Sequence, residues 1–168
     1  MASAIKLIDP TENEVLAGLE AKTKQPSPFF RAMAHRPEVL KNFPPLYGAI
    51  MGPGAVERRV KELVYLTCSF ANECAFCTAA HLATGKKAGI TDDETKALQT
   101  EQDHDFSEQE KAAIRYAREL TQTADAADSR DALLEHFSHE QVVEITLVAA
   151  MANFTNRFNN GLQIMPEA

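Results

Sequence analysis

The stretch AVERRVKELVYLTCSFANECAFCTAAH, residues 55–81, decides the fold. Val56, Val60, Leu63, Val64, Thr67, Phe70 and Ala71 recur at three- and four-residue intervals, the apolar stripe of a helix over 55–71. From Leu63 to Asn72 no residue is charged, so the later turns of that helix are expected to be buried on most sides. Glu62 falls off the stripe, on a second face shared with Leu66 and Ser69. A further helix over 74–87 follows, and Gly85 and Gly89 sit where it should stop.

The flanking sequence extends the same pattern. Seven of the eight prolines stand at or before Pro53, and the other is Pro166. The interval between them is rich in Ala, Leu, Glu, Lys and Gln, a composition that favours helices. Thr91-Asp92-Asp93-Glu94, Ser107-Glu108-Gln109-Glu110 and Ser138-His139-Glu140-Gln141 have the spacing of capping boxes, in which two side chains satisfy the free N–H groups of a first turn. These marks predict helices over 12–22, 29–41, 55–71, 74–87, 92–100, 108–123, 129–136 and 139–160. No segment alternates strictly between apolar and polar residues, so the expected fold is all-α.

The chain has 168 residues, of which 45% are apolar and 24% charged, which fits one domain over 1–168 with a core of its own. Its formal charge of −7 disfavours a general nucleic-acid binder, because phosphate contacts need clustered Lys and Arg. The acidity is concentrated in residues 101–168, where five basic side chains face thirteen acidic ones, and it reads as a solvated helix surface. Three cysteines are too few, and odd in number, for a secreted disulfide scaffold. The N-terminal MASAIKLIDPTENEV lacks the apolar core of a signal peptide, and the longest apolar run, Leu147 to Ala152, is too short to span a bilayer. A soluble cytoplasmic protein without a membrane partner is therefore expected.

The chemistry lies in Asn72-Glu73-Cys74-Ala75-Phe76-Cys77-Thr78-Ala79-Ala80-His81. At 100° per residue, Cys74, Cys77 and His81 fall within an arc of about 60° on one helix, with Thr84 close by. Cys77 and His81, one turn apart, predict a thiol–imidazole contact. Cys74 would stand at the helix N-terminus, where free N–H groups favour a thiolate. A carboxylate at Glu62, opening a largely apolar segment, should be partly desolvated and its pKa raised towards values useful for proton transfer. Such a dithiol can attack a peroxide oxygen or a substrate disulfide and then resolve its own sulfenate or mixed disulfide. A c-type haem site is disfavoured because Thr78, not histidine, follows the second cysteine. Zinc held by Cys74, Cys77 and His81, with Cys68 or Glu62 as a fourth ligand, and plain core packing both remain open.

Glu62, eleven residues, and then Cys74-x-x-Cys77-x-x-x-His81 resemble the motif of the alkylhydroperoxidase D-like proteins of the carboxymuconolactone decarboxylase superfamily. Glu62-Leu63-Val64-Tyr65-Leu66 and Asn153-Phe154-Thr155-Asn156-Arg157-Phe158 are similar to the peroxidase-related branch, and the likeness covers roughly residues 30–165. The resemblance implies a helical bundle with the dithiol at the start of a core helix. It implies a homo-oligomer, often a trimer or hexamer, that reduces hydroperoxides. It also implies recycling by an external thiol reductant, a lipoylated protein in the best-known system, and no bound cofactor or metal. Carried over, Glu62 acts as general base through His81 and a water, Cys77 attacks, and Cys74 resolves and meets the reductant. The helix-terminus argument points instead to Cys74 as the more acidic thiol. Phe76 stands where alkylhydroperoxidase D itself has a histidine, which removes one relay group. Lactone decarboxylation is not expected, since the decarboxylases do not rely on this CxxC.

The remaining candidates read as structural. Cys68 is expected in the core, and His35, His104, His136 and His139 in solvent. Tyr65 and Ser69 are at most supporting groups. Arg157 is expected to serve structure, by neutralising a buried carboxylate or at a subunit contact. The helix over 142–158, apolar on more than one face, is expected to be core or subunit interface. Two function classes follow: a thiol-dependent hydroperoxide reductase or related dithiol–disulfide reductase, and a non-enzymatic helical oligomer whose CxxC–His cluster binds zinc or packs.

Overall fold

Pro37 breaks the segment expected as one helix over 29–41. In the computed structural model, which describes residues 3–24, 26–102 and 105–166, that segment forms α2 (Pro28–Met33) and α3 (Pro37–Met51). The residue before a proline is pushed out of the helical region, and Arg36 accordingly has φ −127° and ψ 82°. Helix α3 then runs through Pro44 and Pro45. Each proline removes one backbone donor, and burial of Leu40, Phe43, Ile50 and Met51 against the core holds the helix across the gap.

The other elements follow the predicted order: α1 (Glu14–Thr23) after a 3-10 turn at Pro10–Glu12, α4 (Arg58–Ala71), α5 (Ala75–Lys87), α6 (Asp92–Gln99), α7 (Glu108–Thr123), α8 (Ala127–His136) and α9 (His139–Gly161). Among the described residues there is no strand. All three expected capping boxes form; Ser107 Oγ accepts from the Glu110 N–H while Glu110 accepts from the Ser107 N–H, and the pairs Thr91–Glu94 and Ser138–Gln141 repeat this. Gly89 takes φ +86° just past the end of α5, as a helix stop requires. Gly85 does not stop the helix: it lies inside α5, where an added Cβ would sit 3.3 Å from side-chain atoms of Leu66 and Ile90.

Helix α4 is the axis of the bundle. Every residue from Val60 to Ser69 is buried, so the expected stripe is in fact buried all round, and α5, α7 and α9 pack against it. Two charged side chains enter the core with it. Lys61 Nζ donates to the carbonyls of Ile50, at 2.9 Å, and Gly52, at 2.7 Å, and pairs with Glu144 of α9. Glu144 also accepts from the backbone N–H groups of Ala55 and Val56, which ties the α3–α4 loop to α9. The second buried charge is Glu62.

Cys68 lies fully inside the core, and burial pushes its thiol up to about 11, so it is a neutral packing residue. His35, His136 and His139 are exposed, and His104 lies outside the described residues. Among the described residues Arg157 meets no buried carboxylate; it donates to the side chain and carbonyl of Asn153 one turn earlier. Helix α9 buries Ile145, Val148, Ala149 and Ala152 but leaves Val143, Leu147 and Phe154 exposed. Among the described residues no helix is long and apolar enough to cross a membrane.

Candidate active site

The turn between α4 and α5 sets the position of both sulfurs. Glu73 takes φ +52°, and the Cys74 N–H returns to the carbonyl of Ser69 at 2.9 Å. Three asparagines of α9 hold this turn from the side. The Asn72 amide donates to the Oδ1 atoms of Asn153 and Asn156, both at 2.9 Å, and Asn160 donates to the Asn72 carbonyl at 2.7 Å. Cys74 is the N-cap of α5, its sulfur accepting the Cys77 N–H at 3.3 Å. Cys77 follows in the first turn, and the two cysteines are joined as a disulfide with Cα atoms 5.4 Å apart.

One turn further along α5, His81 is gripped from both sides of its ring. Nδ1 lies 2.7 Å from Glu62 Oε2, which also accepts from the Thr84 hydroxyl at 2.9 Å. A carboxylate accepts only, so Nδ1 carries the proton. Nε2 lies 3.1 Å from the Tyr47 hydroxyl. Burial, and then the Glu62 charge, push the Tyr47 phenol up to about 12, so it is neutral and donates to Nε2. The Tyr65 ring stacks on the imidazole at 3.5 Å and 12°, anchored by a 2.5 Å hydrogen bond between its hydroxyl and Thr155.

Glu62 does not carry the raised pKa expected of it. Burial does push its carboxyl up, but the hydrogen bond and charge of His81, the Thr84 hydroxyl and the Arg58 guanidinium outweigh this and hold it below the ordinary value. Arg58, 2.5 Å from Oε1 and one turn earlier on α4, is half exposed and links the buried carboxylate to the surface.

The expected thiol–imidazole contact is also replaced. Both ring nitrogens of His81 are engaged by Glu62 and Tyr47, and Cys77 Sγ instead accepts the Asn159 amide Nδ2 at 3.2 Å. Nor do the residues converge as the zinc alternative requires. The sulfurs are paired with each other, Cys68 is turned into the core with its sulfur on the Ala117 carbonyl, and among the described residues no group of three His, Cys, Asp or Glu side chains is placed to hold a metal ion.

A cavity of about 250 Å³ opens onto this assembly. Phe29, Phe30, Phe43 and Phe76 give it apolar walls, and Ser27, Tyr47, His81, Cys77, Thr155 and Asn159 are its polar lining. Cys74 and Glu62 are not among the lining residues. Of the four residues singled out in the sequence, Cys77 and His81 thus face the cavity, while Glu62 backs His81 and Cys74 backs Cys77. Tyr47, Arg58 and Asn159 complete the site and were not singled out.

Residues 37–119 match the carboxymuconolactone decarboxylase family. The uncharacterized protein YdfG of Bacillus subtilis (strain 168) is 30% identical over 111 residues, covering 62% of this chain and 74% of its own. A solved protein of unknown function from Agrobacterium tumefaciens, proposed to be the antioxidant defence protein AhpD, superimposes with a TM-score of 0.72 at 26% identity, over 80% of this chain and 94% of that one. An uncharacterized peroxidase-related protein from Ralstonia eutropha JMP134, with an alkylhydroperoxidase AhpD core, gives a TM-score of 0.84 at 20% identity, over 98% and 92% of the two chains; at that identity it speaks to the fold.

Proposed function

This chain belongs to the carboxymuconolactone decarboxylase family, among its alkylhydroperoxidase D-like members, and from that membership we propose that it is a thiol-dependent hydroperoxide reductase. The observation that carries the reading is the cavity: Cys77, His81 and Tyr47 line it together, with Glu62 hydrogen-bonded to His81 behind them.

In the reduced protein, the Cys77 proton passes to His81 Nε2 by way of Tyr47 or a water, and Glu62 stabilises the imidazolium that forms. The Cys77 thiolate attacks the terminal oxygen of the hydroperoxide. An S–O bond forms, the O–O bond breaks, and its electron pair leaves on the alkoxide, which recovers the proton from Tyr47 and His81 as the alcohol. The Cys74 thiol then attacks the Cys77 sulfenic acid, giving the disulfide and water. An external dithiol, a lipoylated protein by the family resemblance, returns the pair to its reduced state. The exposed Leu46, Val143, Leu147 and Phe154 on α3 and α9 support a homo-oligomer, and the dithiol cycle suits the reducing cytoplasm.

Consumption of tert-butyl hydroperoxide with dithiothreitol as reductant, by wild type and Cys77→Ser, tests the reading. Wild-type turnover that the substitution abolishes is expected. Equal rates overturn it, and reduction of a small disulfide without peroxide consumption would favour a dithiol–disulfide reductase.

A further inference from the structure

The sequence Asn153-Phe154-Thr155-Asn156-Arg157-Phe158-Asn159-Asn160 brings four asparagines to one end of α9. Three of them hold the turn before Cys74, as described above. The fourth, Asn159, is turned to the sulfur itself. It is 1% exposed, its Nδ2 lies 3.2 Å from Cys77 Sγ, and among the described residues its Oδ1 has no hydrogen-bond partner. The amide orientation follows from chemistry: neither a disulfide sulfur nor a thiolate has a hydrogen to give, so the N–H faces Sγ. Leaving Oδ1 unpaired in the interior is costly, and the hydrogen bond that offsets this cost is made to the reacting atom.

We propose that Asn159 is a catalytic residue that stabilises negative charge on Cys77 Sγ and thereby assigns attack to Cys77 rather than Cys74. This deepens the reductase reading and rests on it. The two sulfurs compete for the charge. Cys74 Sγ has the helix N-terminus, through the Cys77 N–H at 3.3 Å, and Cys77 Sγ has the Asn159 side chain. Only Cys77 lines the cavity, so charge placed on Cys74 is charge kept from the substrate. The same amide supports the Cys77 thiolate expelled when a reductant attacks Cys74, because that step breaks the S–S bond and leaves its electron pair on Cys77. The other titratable and charged groups around Cys77 are Tyr47 of α3, Tyr65 and, behind His81, Glu62 of α4 with its partner Arg58, and Cys74 and His81 beside it in the chain; the described α9 residues that line the cavity are the uncharged Thr155 and Asn159.

The test isolates one sulfur. Thiolate absorbance at 240 nm is followed against pH in reduced Cys74→Ser and in Cys74→Ser carrying Asn159→Leu, with helical circular dichroism as the check on folding. Loss of the donor should raise the Cys77 midpoint by about one pH unit or more, a tenfold loss of thiolate at a fixed pH below it. Asn159→Ala, which removes the donor without adding bulk, serves if the leucine packs badly. A midpoint unmoved in a folded variant overturns the assignment, whatever the peroxidase rate. A raised midpoint in a protein whose wild type consumes no peroxide keeps Asn159 on the sulfur and removes only the reductase reading.

Discussion

The Tyr47 hydroxyl lies 3.1 Å from His81 Nε2, and the two side chains line the cavity together. The hydrogen-bonded chain to which the proposed mechanism assigns proton transfer therefore has three members, Glu62, His81 and Tyr47, and its last member belongs to α3 rather than to the helix that carries the dithiol.

Tyr47→Phe keeps the ring and removes the proton carrier. The kcat for tert-butyl hydroperoxide should fall by about 10²-fold, the lower end of what a positioned acid or base contributes, with little change in KM. Burial holds the phenol neutral up to about pH 12, so the wild-type rate should show no loss from tyrosine ionisation between pH 6 and pH 10, on the order of two units below that value. Steady-state kinetics on the two proteins check both points, and an unchanged kcat removes Tyr47 from the relay.

Lys61→Met tests the other buried charge. Its ammonium satisfies two carbonyls at the end of α3 and pairs with Glu144, which in turn holds the Ala55 and Val56 N–H groups. Removing Lys61 leaves the carboxylate without its cation and both carbonyls without their donor, so stability should drop by about 3–5 kcal/mol. Urea unfolding reads this directly; a change below about 1 kcal/mol would show that the loop does not depend on the pair.

What the sequence disclosed and what it withheld divide along physical lines. Glu62, Cys74, Cys77 and His81 were legible because each is a reactive type at a spacing that one helix, or two adjacent ones, brings together. The capping boxes were legible because their interactions are local. Tyr47 was not: it lies beyond Pro44 and Pro45, and a reading that stops a helix near proline ends before reaching it. Asn159 was missed for a different cause, since an asparagine on a helix does not reveal whether water or a sulfur faces it. Glu62 was placed correctly but given the wrong electrostatics, because burial shows in an apolar sequence whereas Arg58, Thr84 and His81 assemble around it only in three dimensions.

Helix α9 leaves Val143, Leu147 and Phe154 exposed along one side, and Leu46 of α3 borders the same groove as Phe154. Large apolar side chains aligned this way mark a face that another surface covers, and the reading of α9 as a subunit interface assigns it to a second copy of the chain. Wild type should elute from size exclusion as an oligomer, and the double substitution Leu147→Glu, Phe154→Glu as a smaller species. A monomeric wild type would refute the assignment.

Glu62→Gln separates the two effects that meet at the carboxylate. Burial alone would raise its pKa, but His81, Thr84 and Arg58 together hold it below the ordinary 4.5. A group depressed on folding lends stability that is fully present above its unfolded value and is lost as pH falls through its folded value. Wild type should therefore exceed Glu62→Gln in urea midpoint at pH 7, and the gap should narrow as the pH is brought below the ordinary carboxyl value of 4.5. Glu20, Glu94, Glu110 and Glu144 are held low as well, so wild type and variant both weaken in acid, and it is the difference between them that isolates Glu62. A gap that widens on acidification would mean that burial wins and that the carboxyl is protonated in the folded protein. Glu62 would then donate to the imidazole rather than stabilise its charge, and the relay would run without an anion at its inner end.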